Sequence, residues 1–337
     1  MSGFSPDAAR PRVSVVIPNL NGVPWLPGCL DALAAQTFRD REVLLIDNGS
    51  TDGSVALLRD RYPDVRVRVL PRNVGFAPAV NIGIRASGGE YVALLNTDTV
   101  VRPDWLAALV RALDESPPET GAIASKMLSL DDDGRIDDAG DALSWTGAAA
   151  QRGRGEPAHL FTQREEVFSV CAGAALYRRS FLDAVGGFDE RFFAYLEDID
   201  LGLRGRLLGY HYLFDPAAEV LHKGHGSALP RARYVRLVTR NRVMLFAKSV
   251  PWSLLLRHLP RLLYGQFYFL IAYRRPLASL AGYLLLVPCL SHIWRERRRL
   301  QSSRRIDVAQ LERLLTPRMP EPPLRALFRR RLGRLRP

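Results

Sequence analysis

Glu42-Val-Leu-Leu-Ile-Asp-Asn-Gly-Ser-Thr-Asp-Gly-Ser54 is an apolar run that stops at an acid, an amide and a glycine. Apolar residues in unbroken succession, without polar alternation, describe a strand covered on both faces. The short polar residues that follow are turn formers, and Asp52 or Ser54 suits the cap of a helix over Ser54 to Tyr62. Upstream, Val13-Ser-Val-Val-Ile17 repeats the strand pattern and Trp25 to Gln36 reads as a helix. Downstream come a strand over Val65 to Leu70, a helix over Ala77 to Ala86 and a strand over Tyr91 to Leu95. Strands alternating with helices predict an α/β fold with a mostly parallel central sheet. Ligands in such sheets sit beyond the carboxyl ends of the strands, so the residues just after each strand carry the functional reading.

Further along, residues 116–166 are rich in Gly, Asp and Arg and are expected to form long loops or edge hairpins. Val167 to Tyr177 looks strand-like, Arg179 to Val185 and Asp198 to Leu208 helical, and Glu219 to Leu221 a short strand. There is no internal repeat.

The strand ends supply a consistent set of polar groups. Pro18 and Asn19 follow the first strand, and Asp47 and Asp52 the second. Each suits a base or ribose edge as well as a turn or helix cap. No Gly-x-Gly-x-x-Gly follows the first strand, which excludes the usual dinucleotide fingerprint. Arg72, Asn73 and Gly75, then Asn81, follow the third strand. An arginine beside a glycine turn suits either a phosphate or a loop ion pair. Asn96-Thr-Asp98 follows the fourth strand, where an unpaired carboxylate is unfavourable. A divalent cation (Mg²⁺ or Mn²⁺) shared with diphosphate oxygens would supply the partner.

Glu197-Asp198-Ile-Asp200 opens a helix with three carboxylates in four residues. The helix dipole and the Asp200–Arg204 spacing explain them structurally. A carboxylate turned into the cleft would instead take a proton from an attacking hydroxyl. His222 lies in a glycine-containing loop that also holds His225 and Ser227.

In this order the motifs resemble family 2 glycosyltransferases of the GT-A fold, particularly the bacterial branch that includes rhamnosyltransferases. The matching stretches are Val13 to Gly22, Ile46 to Ser54, Arg72 to Phe76 with Asn81, and Leu94 to Thr99. Gly186 to Asp189, Phe193 to Leu201 with Arg204, and His222 with Ser227 complete the set. The resemblance implies that Pro18, Asn19, Asp47 and Asp52 line the base and ribose site. It sets Arg72, Asn73, Gly75, Asn81 and Asn96 along the donor cleft. Asp98 stands at the last position of the family's Asp-x-Asp metal motif, with Asn96 at the first, and His222 fits the histidine near the metal and diphosphate. Asp198 fits the catalytic base, ahead of Glu197 and Asp200. The implied chemistry is a single inverting displacement with a nucleotide-sugar donor, dTDP-rhamnose or a UDP-hexose or UDP-N-acetylhexosamine. The implied acceptor is a cell-surface glycan or polyprenyl-linked precursor. A non-catalytic nucleotide-sugar or glycan-binding protein of the same fold is the reading from another class, and the set Asp98, Asp198 and His222 argues against it.

The 337 residues carry a net charge of +12, unevenly distributed. Residues 1–228 hold 23 basic and 31 acidic residues, whereas 229–337 hold 24 basic and 4 acidic ones. An acidic domain joined to a basic tail faces a polyanion. The tail has no nucleic-acid recognition motif, and its leucine- and aromatic-rich interleaving suits an anionic membrane surface. The clean apolar part, Leu262 to Tyr273, is shorter than the roughly 20 residues that span a bilayer. Three dispersed cysteines and the lack of a secretory signal fit a cytoplasmic site at the inner or plasma membrane. The expected organisation is a flexible segment over 1–12, the GT-A domain over 13–245, membrane-associating amphipathic helices over 246–300 and a basic tail over 301–337.

Overall fold

The computed structural model describes residues 10–224, 229–319 and 322–324. Most of the expected flexible N-terminus, His225, Ser227 and much of the basic tail lie outside these residues.

The first half runs β1 (Val13–Asn19), α1 (Leu26–Ala34), β2 (Arg41–Asp47), α2 (Ser54–Arg61), β3 (Arg66–Val69), α3 (Phe76–Ala86) and β4 (Tyr91–Leu95). Then follow β5 (Thr99–Val101), α4 (Trp105–Asp114), β6 (Thr120–Ser129), β7 (Asp132–Asp138), β8 (Asp141–Leu143), β9 (Ala149–Gln151), β10 (Glu165–Glu166), β11 (Ala174–Arg178) and α5 (Arg179–Val185). The chain continues through α6 (Glu197–Leu207) and β12 (His211–His222). Six helices close it: α7 (Arg231–Ser249), α8 (Trp252–Arg257), α9 (Leu259–Tyr273), α10 (Pro276–Leu284), α11 (Leu290–Ser303) and α12 (Val308–Leu314).

The main sheet has the order β10-β12-β6-β11-β4-β1-β2-β3. β1 pairs in parallel with β2 and β4, and β2 with β3; β11 enters antiparallel between β4 and β6. The alternation of a pleated strand sorts its apolar residues into two cores. Val16, Ile46, Val92 and Leu94 pack against α3 and α5, while Val15, Ile17, Leu45 and Ala93 pack against α1 and α4. Both faces are thus covered, which is why these strands are apolar throughout.

Residues 116–166 form the hairpins β6–β7 and β8–β9, as expected, but depart from the expectation in one strand. They contain β6, a ten-residue strand buried along nearly its whole length and paired on both sides. Its sequence, Thr-Gly-Ala-Ile-Ala-Ser-Lys-Met-Leu-Ser, is poor in strong strand formers. The strand is held by its neighbours. Val167 to Tyr177 is strand only from Ala174 onward.

A third core joins the site helix to the C-terminal helices. Leu203 and Leu207 of α6 are fully buried with Met244 and Leu245 of α7, Leu254 of α8 and Ile293 and Leu300 of α11. Each fully buried leucine contributes about 1.5–3 kcal/mol. α7 crosses residue 245, so the catalytic and helical segments expected from composition share an element and a core.

Candidate active site

A cleft opens at the carboxyl ends of β1 and β4 and the first turn of α6. Pro18, Asn19, Asn48, Asn73, Asn96, Asp98, Glu197, Asp198 and His222 line it. At its floor the Asn19 amide donates to Asp47 (2.8 Å) and Ser50 (3.1 Å), which fixes the side chain. The Asn19 Oδ1 is buried without a hydrogen-bond partner among the described residues. Gly22 is required beside it, because a Cβ there would lie 2.2 Å from that oxygen. Asn48 bridges to Asn73 (3.2 Å) and to the Gly75 carbonyl (3.0 Å), which fastens the loop after β3 to the loop after β2.

Asp98 and His222 meet across the paired strands β5 and β12. The His222 Nε2 is 3.5 Å from Asp98, and its Nδ1 is 2.7 Å from Asp137. Burial lowers the proton affinity of His222, but hydrogen bonds to Asp137 and Asp98 outweigh it and raise its pKa to about 9. A carboxylate behind a histidine fixes its tautomer and presents the other nitrogen as a ligand. Asp98 and His222 therefore form a mixed oxygen and nitrogen donor pair on one wall of the cleft. That pair fits a divalent cation whose remaining positions go to water or phosphate oxygens.

α6 begins behind a turn in which Phe193, Tyr195 and Leu196 take φ of 65°, 70° and 66°. Such positive-φ conformations cost about 1–3 kcal/mol each for residues other than glycine. The Asn241 amide of α7 offsets this by donating to the carbonyls of Phe192, Ala194 and Tyr195 at 3.0, 2.9 and 2.8 Å. The turn sets Glu197 and Asp198 at the cleft. Burial raises the pKa of Asp198, opposed by the backbone amides of Ile199 and Ala172. Glu197 is held well above the usual carboxylate range by burial and by Asp198, and its Oε2 has no hydrogen-bond partner among the described residues. Asp198 is the more accessible of the two from the cleft.

The model of glycosyl transferase family 2 matches residues 14–186, just over half of the chain. The chain is a family 2 glycosyltransferase. It is 34% identical over 237 residues to an N-acetylglucosaminyl-diphospho-decaprenol L-rhamnosyltransferase of Mycobacterium tuberculosis, covering 63% of this chain and 76% of that protein. It is 30% identical to the O-antigen biosynthesis protein RfbC of Myxococcus xanthus and 31% identical to an uncharacterised protein, y4gI, of Sinorhizobium fredii. Those matches cover 73% and 69% of this chain but only 20% and 27% of the two longer proteins. In fold it is similar to the mannosyltransferase PcManGT of Pyrobaculum calidifontis, solved with GDP-Man and Mn²⁺, with a TM-score of 0.52, 19% identity and coverage of 90% and 86% of the two chains. It is also similar to GalNAc-T7, solved with UDP, GalNAc and Mn²⁺, with a TM-score of 0.54, 20% identity and coverage of 72% and 51%.

Within this glycosyltransferase the residues singled out from sequence separate into two groups. Pro18, Asn19, Asn73, Asn96, Asp98, Glu197, Asp198 and His222 meet in the cleft. Asp47 lies beneath it as the anchor of Asn19, and Asp52 accepts hydrogen bonds from Val23 and Ser54. Arg72 is exposed outside the lining, and Gly75 supports Phe193 by close backbone approach. Asn81 is buried and tied to Phe188 and Glu190. Asp200 corrects its expectation as a base: it is fully buried, paired with Arg204 and with Lys248, and closed to any hydroxyl.

Three further carboxylates escaped the sequence reading because they fall in the segment taken for loops. Asp137 backs His222, and Asp138 and Asp141 are buried nearby. Burial, with Asp137 and Asp198 adding to it, pushes Asp138 up to about 8. Three aspartates within Asp137-Asp-Ala-Gly-Asp141 were the available signal.

Proposed function

We propose that this chain is an inverting, metal-dependent transferase that moves a sugar from a nucleotide donor to a lipid-linked glycan precursor. The observation that carries the reading is the meeting of Asp98 and His222 with Asp198 in one cleft at the strand ends. The asparagines of the floor bind the nucleoside, and the Asn19 Oδ1 is free to accept from it. Asp98 and His222 would hold a divalent cation, which when bound neutralises charge on the departing diphosphate. Asp198 takes the proton of the acceptor hydroxyl as that oxygen attacks the anomeric carbon. The bond from the anomeric carbon to the diphosphate oxygen breaks on the opposite side, which inverts the configuration. A carboxylate whose proton affinity is raised by burial is suited to this role near neutrality.

The similarity to a decaprenol-linked rhamnosyltransferase supports a deoxyhexose donor such as dTDP-rhamnose and a polyprenyl diphosphate acceptor. The C-terminal helices support a peripheral position on the cytoplasmic face of a membrane. By length and composition the helical stretch Pro276–Ser303, α10 and α11 with the 3₁₀ turn between them, is able to cross one. Its contacts favour lying flat: Gly282 sits against the Arg236 carbonyl of α7, and Arg297 donates to the carbonyls of Ala247 and Val250. A helix held sideways on the globular core suits the interface.

The test is nucleoside diphosphate release from dTDP-, UDP- and GDP-sugars with Mn²⁺ or EDTA, with membrane lipid extract as acceptor. Release from one donor that EDTA abolishes is expected. No release from any of them would favour a binding protein instead.

A further inference from the structure

The rim of the cleft is cationic and aromatic. Leu229, just before α7, lines the cleft. The Arg233 guanidinium lies 4.7 Å from the ring centre of Phe193, another lining residue. Arg231 lies 5.3 Å from the ring of Tyr234 and 5.8 Å from that of Tyr273. Both arginines are exposed, and neither forms an ion pair among the described residues. Behind them Arg242 is buried, donates to the Tyr273 hydroxyl (2.7 Å), and has an Nη1 with no hydrogen-bond partner among the described residues.

From the cleft wall a row of half-buried tyrosines leads outward. Tyr195 and Tyr234 stand edge to face at 4.8 Å, and Tyr234 and Tyr273 at 6.1 Å. Tyr273 ends α9, whose exposed residues Leu259, Leu263, Phe267 and Leu270 recur at helical spacing on one stripe. Of the sixteen exposed large apolar side chains among the described residues, all but Val69 and Leu160 fall between Trp252 and Trp294. An uncovered apolar surface of this extent marks an interaction face. Between Trp252 and Arg299 stand eight arginines and one acid, Glu296, a balance complementary to anionic lipid.

We propose that Arg231, Arg233 and the Tyr195–Tyr234–Tyr273 row form a track for an amphiphile with a phosphate or diphosphate head and a long apolar chain. The arginines take the phosphate oxygens, for which a guanidinium is suited in geometry and charge. The tyrosines and the α9 stripe guide the chain into the membrane surface on which the helices rest. With the phosphate held at the rim, the acceptor sugar extends into the cleft toward Asp198. This inference rests on the glycosyltransferase reading with a lipid-linked acceptor.

The experiment is vesicle binding by the full chain. It compares phosphatidylcholine alone, phosphatidylcholine with phosphatidylglycerol, and phosphatidylcholine with undecaprenyl diphosphate at equal surface charge. The wild type is expected to bind the polyprenyl diphosphate vesicles at least tenfold more tightly than the phosphatidylglycerol ones. The double variant R231E/R233E is expected to lose that preference while still binding phosphatidylglycerol vesicles; R231Q/R233Q repeats the test with a smaller perturbation. Leu263→Ser with Phe267→Ser is expected to weaken binding to both anionic vesicles. Equal affinity of the wild type for both, or a preference that survives in both arginine variants, overturns the track. Nucleoside diphosphate release with membrane lipid extract as acceptor is measured alongside. Its absence in the wild type counts against the transferase reading, whereas release without the vesicle preference counts against the track alone.

Discussion

The side-chain nitrogen of Asn241 lies 2.8 Å from the carbonyl oxygen of Tyr195. The same nitrogen reaches two neighbouring carbonyls, so one buried amide on α7 fastens the turn that carries Tyr195 and aims Glu197 and Asp198. Helix α7 also packs on the C-terminal helices, which links the placement of this turn to the segment proposed to face lipid.

Asn241→Leu keeps the volume and removes the donor. The carbonyls of Ala194 and Tyr195 lose this donor while that of Phe192 keeps Arg240, and a loss of about 1–3 kcal/mol is expected. Urea unfolding measures that loss. Sugar transfer should fall at least tenfold while donor binding holds, because the floor of the cleft is built from other loops. Transfer at the wild-type rate would mean that the turn keeps its shape without the clamp.

Lys248 is fully buried between Asp189 and Asp200, with Asp200 at 2.8 Å. Lys248→Met leaves Asp189 with only His292 and Asp200 with only Arg204, and is expected to remove about 3 kcal/mol at neutral pH. Burial opposes ionisation of Asp189, but His292 and Lys248 outweigh it and hold its carboxyl far below the ordinary 3.8. A depressed carboxyl stabilises the fold above the ordinary value, and that stabilisation is lost as the pH falls below it. The gap between wild type and Lys248→Met should therefore narrow on acidification from pH 7 to 3. A gap that stays constant over this range contradicts the pairing.

Gly22→Ala tests the floor of the cleft. The new Cβ would collide with the Asn19 Oδ1, while Asn19 is held from the other side by Asp47 and Ser50. The KM for the donor is expected to rise about tenfold, roughly 1.4 kcal/mol of binding, with little change in melting temperature. An unaltered KM would remove Asn19 from the nucleotide site.

Metal binding should depend on pH through His222. Its pKa of about 9 means that the imidazole carries a proton at neutrality, and a cation requires the neutral ring. Mn²⁺ affinity is expected to rise from pH 7 to 9, with proton release seen by calorimetry in buffers of different ionisation enthalpy. A pH-independent affinity without proton release would exclude His222 from the coordination shell.

The sequence reading succeeded where one force dominated. Strands buried on both faces, such as β2 and β4, advertise themselves as apolar runs, and the polar residues after them had to face the cleft or its floor. It failed at β6, where small residues and Lys126 pair between stronger strands and the partners are far away in the chain. The same misreading hid Asp137, whose role depends on a contact with His222 across 85 positions. Asp200 and Asp198 could not be separated by composition. One faces the cleft and the other a lysine 48 residues further along, a difference fixed by the packing of α7 on α6.

The most direct measurement is the rate of nucleoside diphosphate release, under saturating donor and Mn²⁺ with membrane lipid extract as acceptor, for wild type, Asp198→Asn and Glu197→Gln. Asparagine keeps the acceptor oxygen for the Ile199 amide and removes only the base. Asp198→Asn is expected to lower kcat by about 10²–10⁴-fold with donor affinity intact, and Glu197→Gln to lower it far less. A wild-type rate in Asp198→Asn, or a loss confined to Glu197→Gln, would contradict the assignment of Asp198 as the base.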